Sequence, residues 1–374
     1  MKFVVSSASL SSHLQVVSRV IASKNTIPVL DCFLFELQGN SLKITAADSE
    51  TRMITSVEVH EVEGEGIFAI PSKNLLESLK ELPDQPITFD IDDSSLGMFV
   101  FYENGKYNFI GQNGDEYPQH KPLKENAAKI ELSAENLLSG ISRTLFATAE
   151  DELRPVMNGI LFDISETDIT FVASDGHKLV RFKNFSAKGN EKAAFILPKK
   201  PANLLKAVLP RETGAVTIAF DENNAYITME HVIIISRLIE GRYPNYNGVI
   251  PKDNPFKLTV DRVVFVNALK RVVVFSNPGS SLIKLQLSPN SVFITAQDID
   301  YSTSAEETVA CVYEGDEISI GFKGTYLIEI LSNIPSTEVV LMLADPSRAG
   351  LMLPAENEAD EDLLMLLMPM MLND

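Results

Sequence analysis

The sequence predicts an α+β protein of three structurally repeated domains, each with two helices packed on antiparallel sheet. Two observations lead to this prediction. Three sequence patterns recur in one order at spacings of 123 to 127 residues, and each copy shows the order strand, helix, strands, helix, strands. A chain of 374 residues also exceeds one ordinary core and suits two or three domains. The predicted domains are residues 1–126, 127–253 and 254–374.

The three recurring patterns are a strand end, a helix start and a closing proline. An alternating strand ends in an aspartate in each copy: Asp48, Asp175 and Asp298. A lysine precedes an apolar helical pattern in each copy: Lys73, Lys199 and Lys323. A proline closes each copy: Pro118, Pro244 and Pro369. Because all three keep the same order and period, they indicate a triplicated unit.

Within each copy, hydrophobic periodicity separates helices from strands. The predicted helices are 10–22, 73–82, 134–147, 198–209, 262–275 and 323–334. Ser133 is the predicted N-cap of the third helix, and the fifth begins near Asp261. Alternating runs predict strands of antiparallel sheet at Asp31–Leu37, Ile160–Ile164 and Leu282–Leu287.

Composition is typical of a well-packed protein, at 45% hydrophobic and 22% charged residues. The start of the chain lacks the apolar stretch of a signal peptide. The longest apolar run, Leu363–Leu372, is too short to cross a bilayer, so we expect a cytoplasmic protein without a membrane partner. The chain has only two cysteines, Cys32 and Cys311, each in a strand-like apolar context, which excludes a disulfide framework and a CxxC metal site. Both are predicted core residues.

Charge is distributed unevenly. The chain carries a formal net charge of −19, which argues against a protein that wraps DNA tightly in basic surface. The six predicted helices hold eleven basic and four acidic residues, so they carry +7 and the remainder carries −26. Ordinary solvated helix faces are one explanation. If the helices share one side, DNA is instead repelled everywhere except along that side.

The size of one domain limits how many domains a ring around duplex DNA must contain. A domain of this length has a diameter of roughly 35 Å, and three in a closed ring leave almost no hole. Six leave a hole of about 35 Å, enough for a duplex of roughly 20 Å with a layer of water. Six domains require two chains joined head to tail. The predicted DNA-facing residues are Lys24, Lys80, Arg143, Lys199, Lys200, Lys206, Lys270 and Arg271.

The sequence resembles the beta subunit family of bacterial DNA polymerase III, the replicative sliding clamps, along essentially its whole length. The matching segments are the MKF start, TIPVL (26–30), NGILF (158–162), ASDGHKL (173–179), GRYPNY (241–246), FSN (275–277) and MPMML (368–372). The resemblance implies the DNA clamp fold and a head-to-tail dimeric ring whose inner helices line a hole for duplex DNA. It implies processivity without catalysis, and no cofactor.

The resemblance also implies a groove that binds short linear motifs of polymerases, the clamp loader and repair proteins. Flexible methionines suit such a site because they repack around varied apolar anchors. By motif match the groove contains Arg154, Met157, Ser174, Gly176, His177, Leu179, Pro244, Val249, Leu367, Met368, Pro369, Met370 and Leu372. About half of the C-terminal apolar run is expected to be core strand, with alternate residues facing the groove. The chain departs from the family pattern at Pro155, Val156, Ser280 and Met371, and at the terminal Asn373 and Asp374.

A dimer interface is predicted at the aromatic strand that ends the first domain. The strand with Tyr107 and Phe109 should pair with the third domain around Val274 and Phe275, because an unpaired edge of this kind invites aggregation. Across this interface, lysines of the first domain should meet glutamates of the third. The predicted participants are Lys73, Lys106, Glu306 and Glu307.

Two other classes of function are compatible with a repeated α+β chain: a hydrolase or nucleotide-processing enzyme, and a repeat scaffold that binds only proteins. His177 follows Ser174 and Asp175, but neighbouring residues on a strand point to opposite faces and cannot form a triad with each other. The sequence contains no phosphate-binding glycine loop. The remaining histidines, at 13, 60, 120 and 231, lack ligand spacing, so no metal site is predicted. The native mass in solution separates a two-chain ring from a monomer.

Overall fold

The computed structural model describes residues 1–92 and 94–372. This part of the chain contains six α-helices, at the six predicted places: α1 Ser7–Val17, α2 Ser72–Lys80, α3 Ala134–Thr144, α4 Lys199–Val208, α5 Arg262–Val273 and α6 Gly324–Ser332. Helix α1 begins earlier than predicted because the Ser6 side chain accepts the Ser9 N–H and caps it. Among the residues described, none of the helices is long and apolar enough to cross a membrane.

The described residues form 27 β-strands, numbered in chain order. The first fourteen are β1 Lys2–Ser6, β2 Cys32–Gln38, β3 Ser41–Ala47, β4 Thr51–Glu58, β5 His60–Glu63, β6 Gly66–Pro71, β7 Pro86–Asp92, β8 Gly97–Tyr102, β9 Gly105–Ile110, β10 Gln112–Asn113, β11 Ala128–Ser133, β12 Gly159–Ile164, β13 Ile169–Ser174 and β14 Lys178–Asn184. The others are β15 Ala193–Pro198, β16 Ala215–Phe220, β17 Asn224–Thr228, β18 Val232–Arg237, β19 Phe256–Asp261, β20 Leu282–Ser288, β21 Ser291–Asp298, β22 Thr303–Ala310, β23 Val312–Glu314, β24 Ile318–Lys323, β25 Glu338–Leu343, β26 Gly350–Pro354 and β27 Glu361–Leu367.

The first of two compact units comprises residues 1–138 and 200–238. One of its sheets has five strands in the order β5-β1-β7-β8-β9. The other has nine, in the order β10-β6-β2-β3-β4-β18-β17-β16-β11, and strands of the first and second copies meet where β4 pairs antiparallel with β18. Phe3, Phe33, Phe35, Phe68 and Phe89 are fully buried in this unit.

The second unit comprises residues 139–199 and 239–374. Its nine-stranded sheet has the order β15-β12-β13-β14-β27-β26-β25-β19-β23, and its four-stranded sheet the order β22-β21-β20-β24. Here β14 of the second copy pairs antiparallel with β27 of the third. Because sheets are shared between copies, the compact units do not follow the predicted repeat boundaries.

The three repeat aspartates have the same structural role. In each copy the Asp Oδ1 accepts two backbone N–H groups of the turn that follows, which fixes the end of the strand. The acceptor and donor pairs are Asp48 with Glu50 and Thr51, Asp175 with His177 and Lys178, and Asp298 with Asp300 and Tyr301. The recurrence of one turn at three places is the physical basis of the first sequence pattern.

The helix caps also follow the sequence signals. Ser133 Oγ accepts the Asn136 N–H at 3.1 Å, and Asp261 Oδ1 accepts the Val264 N–H at 2.8 Å. Both contacts satisfy a donor that the first turn of a helix otherwise leaves unpaired. The predicted starts of α3 and α5 are therefore confirmed.

Candidate functional site

One face of the nine-stranded sheet in the second unit carries an apolar cluster. The segment that joins the second and third copies lies over part of it, through Tyr243, Tyr246 and Ile250. Tyr246 Oη donates to Asp163 Oδ2 at 2.7 Å, and its burial raises the pKa of the phenol. The buried members are Leu161, Val172, Leu179, Ile196, Tyr243, Ala349, Leu351, Leu364 and Leu366. Of these, the motif match had identified only Leu179.

The turn between β13 and β14 lies beside this cluster. Gly176 has a φ of +91°, and a Cβ there would lie 2.8 Å from Arg154 Nη1, so both backbone and space favour glycine. Arg154 is held by Asp151, whose Oδ2 lies 2.7 Å from Arg154 Nε. The hydrogen bond from the Arg154 side chain is the main cause that lowers the pKa of Asp151, and the bond from the Leu153 N–H lowers it further. Gly176 and His177 are exposed on this turn.

The hydroxyl and carboxyl groups beside His177 serve the turn. Ser174 Oγ donates to the Lys178 carbonyl at 2.8 Å, while Asp175 Oδ1 accepts the N–H groups of His177 and Lys178. The His177 ring instead lies 6.2 Å from the ring of Tyr326, centroid to centroid. The geometry therefore gives Ser174 and Asp175 a structural role.

The C-terminal segment differs from its predicted arrangement. Residues 363–367 of β27, which pairs with β14 and β26, are buried on both faces because the apolar cluster covers the sheet here and helix α6 also contacts the strand. Leu364 and Leu366 join the apolar cluster, whereas Leu367 is fully buried on the opposite face. The motif match placed Leu367 in the groove, but its buried side chain lies on the face opposite the apolar cluster.

The exposed part of the C-terminus begins after β27. Met368 N donates to the His177 carbonyl and Met370 N to the Gly321 carbonyl, both at 2.8 Å. A Cβ at Gly321 would lie 2.6 Å from the Met370 carbonyl oxygen, so this close approach requires glycine. Met368 is 42% and Met371 77% exposed. These backbone bonds hold residues 368–370 while leaving methionine side chains accessible.

The structure divides the predicted groove residues into two groups. The buried group, whose side chains are not accessible to a partner, is Met157, Ser174, Leu179 and Leu367. The exposed or half-buried group is Arg154, Gly176, His177, Pro244, Val249, Met368, Pro369, Met370 and Leu372.

The structure shows the surroundings of three residues that depart from the family pattern. Pro155 begins a 3₁₀ turn, and the half-buried Val156 packs against the apolar cluster. Ser280 Oγ accepts the Leu282 N–H at 3.3 Å. Asn373 and Asp374 lie outside the described residues.

The predicted DNA-facing residues also fall into two groups. Lys24, Lys80, Lys206 and Lys270 are exposed and form no ion pair with any residue that the structure describes. The others are paired: Lys199 with Glu150, Lys200 with Asp48, and Arg271 with Glu307. The hydrogen bonds from Lys199 and Arg271 lower the pKa values of Glu150 and Glu307, respectively.

Arg143 differs from the expectation of a DNA-facing cation. Its side chain is 15% exposed and lies 3.4 Å from Glu361 and 3.8 Å from Glu358, nitrogen to oxygen. The guanidinium carbon lies 5.6 Å from the Phe182 ring centroid. The reason is that α3 packs close to the start of β27, whose acidic residues neutralise this charge.

The predicted interface strand is β9, which forms one edge of the five-stranded sheet. The Tyr107 ring lies 4.8 Å from that of Tyr102 and 6.2 Å from that of Phe109, between centroids. Lys106 Nζ lies 4.9 Å from the Phe99 ring centroid, and Lys73 on α2 is exposed.

In the third copy, β22 forms one edge of the four-stranded sheet and carries Glu306 and Glu307. Val274 and Phe275 follow the last turn of α5 and are 75% and 41% exposed. They therefore offer apolar surface beside a strand edge, but no strand of their own for Tyr107 and Phe109 to pair with.

Comparison with known proteins supplies the family. Three family models of the DNA polymerase III beta subunit match the chain. The N-terminal domain matches residues 1–121, the central domain matches residues 131–245, and the C-terminal domain matches residues 247–371. The chain belongs to the DNA polymerase III beta subunit family. The three matches also agree with the three copies inferred from internal repeats.

Similar proteins extend over the full chain. The beta sliding clamp of Pseudomonas putida is 28% identical over 377 residues, and that of Haemophilus influenzae 27% over 375, each covering 100% of both chains. The crystal structure of the DNA polymerase III subunit beta from Pseudomonas aeruginosa superposes with a TM-score of 0.94 at 26% identity. A DnaN sliding clamp from Bartonella birtlesii bound to griselimycin gives 0.92 at 28%. Both cover 100% of each chain.

Proposed function

We propose that two chains join head to tail in a closed ring around duplex DNA. The protein is a sliding clamp for the replicative DNA polymerase, tethers other DNA-processing proteins as well, and acts in the cytoplasm without catalysing a reaction. The predicted repeats, 1–126, 127–253 and 254–374, are its three clamp domains. The observation that carries this proposal is a strand pairing between neighbouring copies, called here a joint, which occurs twice within the chain. The equivalent strands that would form a third joint are both at sheet edges.

The two internal joints follow one rule. The last strand of the second copy, β18, pairs with β4 of the first copy, and the last strand of the third, β27, pairs with β14 of the second. Applied once more, the rule pairs β9, the second strand of the hairpin β8–β9 as β18 is of β17–β18, with β22 of the third copy. Both are sheet edges. Because β9 belongs to the first copy and β22 to the third, this pairing can join the first copy of one chain to the third copy of another. The two chains are then arranged head to tail.

The internal joints also give the register. At the first joint Thr51 lies opposite Ser236. By position after their hairpin turns, Thr303 is the equivalent of Thr51 and Phe109 the equivalent of Ser236. The proposed interface therefore pairs Phe109 with Thr303, Tyr107 with Ala305, and Lys106 with Glu306.

The faces of the two strands support this register. Glu307 on β22 contacts Arg271 of α5, so the odd-numbered residues of β22 face the helices. On β9, Phe109 is buried and Tyr107 half-buried, which gives its odd-numbered residues the same direction. The register puts the odd-numbered residues of both strands on the same side of the joined sheet, with Val274 and Phe275 after α5 nearby. Lys106 and Glu306 then meet on the outer face.

DNA would be held by topology, with weak attraction from exposed helix cations. Lys80, Lys206 and Lys270 lie on α2, α4 and α5, and none has an acidic partner among the residues described. Such cations contact phosphate without reading sequence. The excess of acid elsewhere in the chain disfavours binding to other surfaces.

Partner proteins would bind the exposed groove residues of the second unit through short linear motifs. A leucine or phenylalanine anchor would contact Val249, Met368 and Met370 above the apolar cluster. Full burial of such a side chain contributes about 1.5–3 kcal/mol. The methionines can repack around anchors of different shape.

Deleting residues 368–374 tests the groove. The deletion removes the two backbone bonds made by Met368 and Met370 but leaves the interior strand β27 intact. We expect a dimer by sedimentation and loss of polymerase or loader peptide binding by calorimetry. Retained peptide affinity would contradict the groove assignment, and aggregation would mean that the segment is required for folding. Met371→Ala is the control, since this 77% exposed side chain should not affect folding.

A further inference from the structure

We propose that Glu212, Glu230 and His231 bind a divalent metal ion, with zinc as the best-matched ion. Sequence spacing gave no sign of the site, because Glu212 is far along the chain from the other two residues. The fold brings them together: one ligand atom from each lies within 4.8 Å of the others. All three belong to the first compact unit.

The backbone already fixes the ligand-bearing segments. Glu230 and His231 form the two-residue turn between β17 and β18, closed by the Met229 N–H bond to the Val232 carbonyl at 3.0 Å. Thr55 Oγ1 donates to the His231 carbonyl at 2.9 Å. Glu212 follows α4, and its Oε2 accepts the Glu230 N–H at 3.1 Å. The site therefore needs only side-chain movement to form.

The Glu212 carboxylate is the feature that calls for a ligand. Its side chain is 4% exposed, and within the described parts of the chain it has one hydrogen bond and no lysine or arginine partner. His231 Nδ1 lies 3.5 Å from Glu212 Oε2. A buried carboxylate is costly unless its charge is compensated, and a bound cation compensates it directly.

The donor set and spacing fit zinc. Imidazole nitrogen and carboxylate oxygen are both zinc ligands at bond lengths of about 2.0–2.2 Å, which puts tetrahedral ligand atoms roughly 3.4 Å apart. The three groups must therefore approach each other by about 1.4 Å at most. Glu230 is exposed and His231 is 60% exposed, so both side chains can turn inward. Three protein ligands leave the fourth position to water.

The site opens on a cavity of about 250 Å³ between α1 and the end of α4, lined by His13, Arg19, Arg211, Glu212 and His231. The two arginines weaken attraction for a cation, but neither forms an ion pair with Glu212 in the described structure. A metal here would tie the β17–β18 turn to the segment after α4. Because β18 pairs with β4, it would stiffen the joint between the first two copies.

Zinc titration of the full-length, EDTA-treated protein by calorimetry tests the proposal. We expect one zinc per chain and a higher thermal midpoint with zinc. His231→Ala and Glu212→Gln should each reduce zinc affinity by at least about 10–100-fold, because the loss of a partner that only orients a ligand already costs that much. Both should fold normally, because His231 is exposed and glutamine can still accept the Glu230 N–H. Cobalt substitution should give tetrahedral visible absorption that His231→Ala abolishes.

His60→Ala is the matched control, since His60 is an exposed histidine on β5, outside the site. Its zinc affinity should equal that of the unchanged protein. Absence of zinc binding, or equal losses in His60→Ala and His231→Ala, would overturn the proposal. So would unchanged affinity in Glu212→Gln, since the buried carboxylate is the central ligand.

Discussion

Reversing one charge at the proposed interface tests its register. The inferred pairing puts Lys106 opposite Glu306 and leaves Glu307 opposite Gly105, with its side chain on the other face. Lys106→Glu should therefore weaken the dimer, and the double change Lys106→Glu with Glu306→Lys should restore it. Lys106→Glu combined with Glu307→Lys is the control and should not restore it.

The size of the effect follows from the exposure of both side chains. An exposed cross-strand ion pair contributes about 0.2–1 kcal/mol, and a like-charge pair costs a similar amount. Lys106→Glu changes attraction into repulsion, at about 0.4–2 kcal/mol per interface. A ring has two interfaces, so the dimer dissociation constant should rise between about fourfold and several hundredfold.

Sedimentation equilibrium at low and high salt measures this change. Screening at high salt should shrink the difference between the unchanged protein and Lys106→Glu. The register would be refuted if the Glu306→Lys double variant dissociated as readily as Lys106→Glu. Rescue by Glu307→Lys instead would shift the pairing by one residue and contradict the matching of faces.

Three further predictions concern single features. Arg143→Ala should lower the free energy of unfolding by about 1–3 kcal/mol, because it leaves the partly buried Glu361 carboxylate without its cationic partner. A thermal melt checks this, and unchanged stability would contradict a structural role for Arg143. Lys206→Ala and Lys270→Ala should shorten residence on linear DNA, and each should reduce the slope of log affinity against log salt by about 1. Filter binding at several salt concentrations measures this slope, and an unchanged slope would exclude contact with phosphate. Burial raises the pKa of the Cys32 thiol to about 11, whereas Cys311 is only half-buried. In the folded protein a thiol reagent at neutral pH should therefore label Cys311 first. Mass spectrometry of the labelled peptides would show the reverse order if Cys32 were accessible.

Much of this fold was predictable because its signals are local. Each helix has an apolar stripe and several have a cap, such as Ser133 and Asp261, within three residues of the group that it satisfies. The repeat aspartates act on turns two or three residues away, which explains why Asp48, Asp175 and Asp298 remained recognisable. The order of elements within a copy follows from such short-range interactions.

The candidate site was predictable only in part. The motif match found the exposed turn at His177 and the methionines after β27. It did not find the apolar cluster beneath them, because those residues look like any strand core in the sequence. The direction of Leu367 was also missed, since a strand covered on both faces shows no alternation of apolar and polar residues.

By itself, the sequence determined the number of copies, the elements within each copy and the family. Only the tertiary structure decided which strands pair between copies, that Arg143 is neutralised by Glu361, and that Glu212 lies beside Glu230 and His231. The physical reason is distance along the chain. Strand pairing and charge compensation between remote segments depend on how whole sheets associate, and no local periodicity records that association.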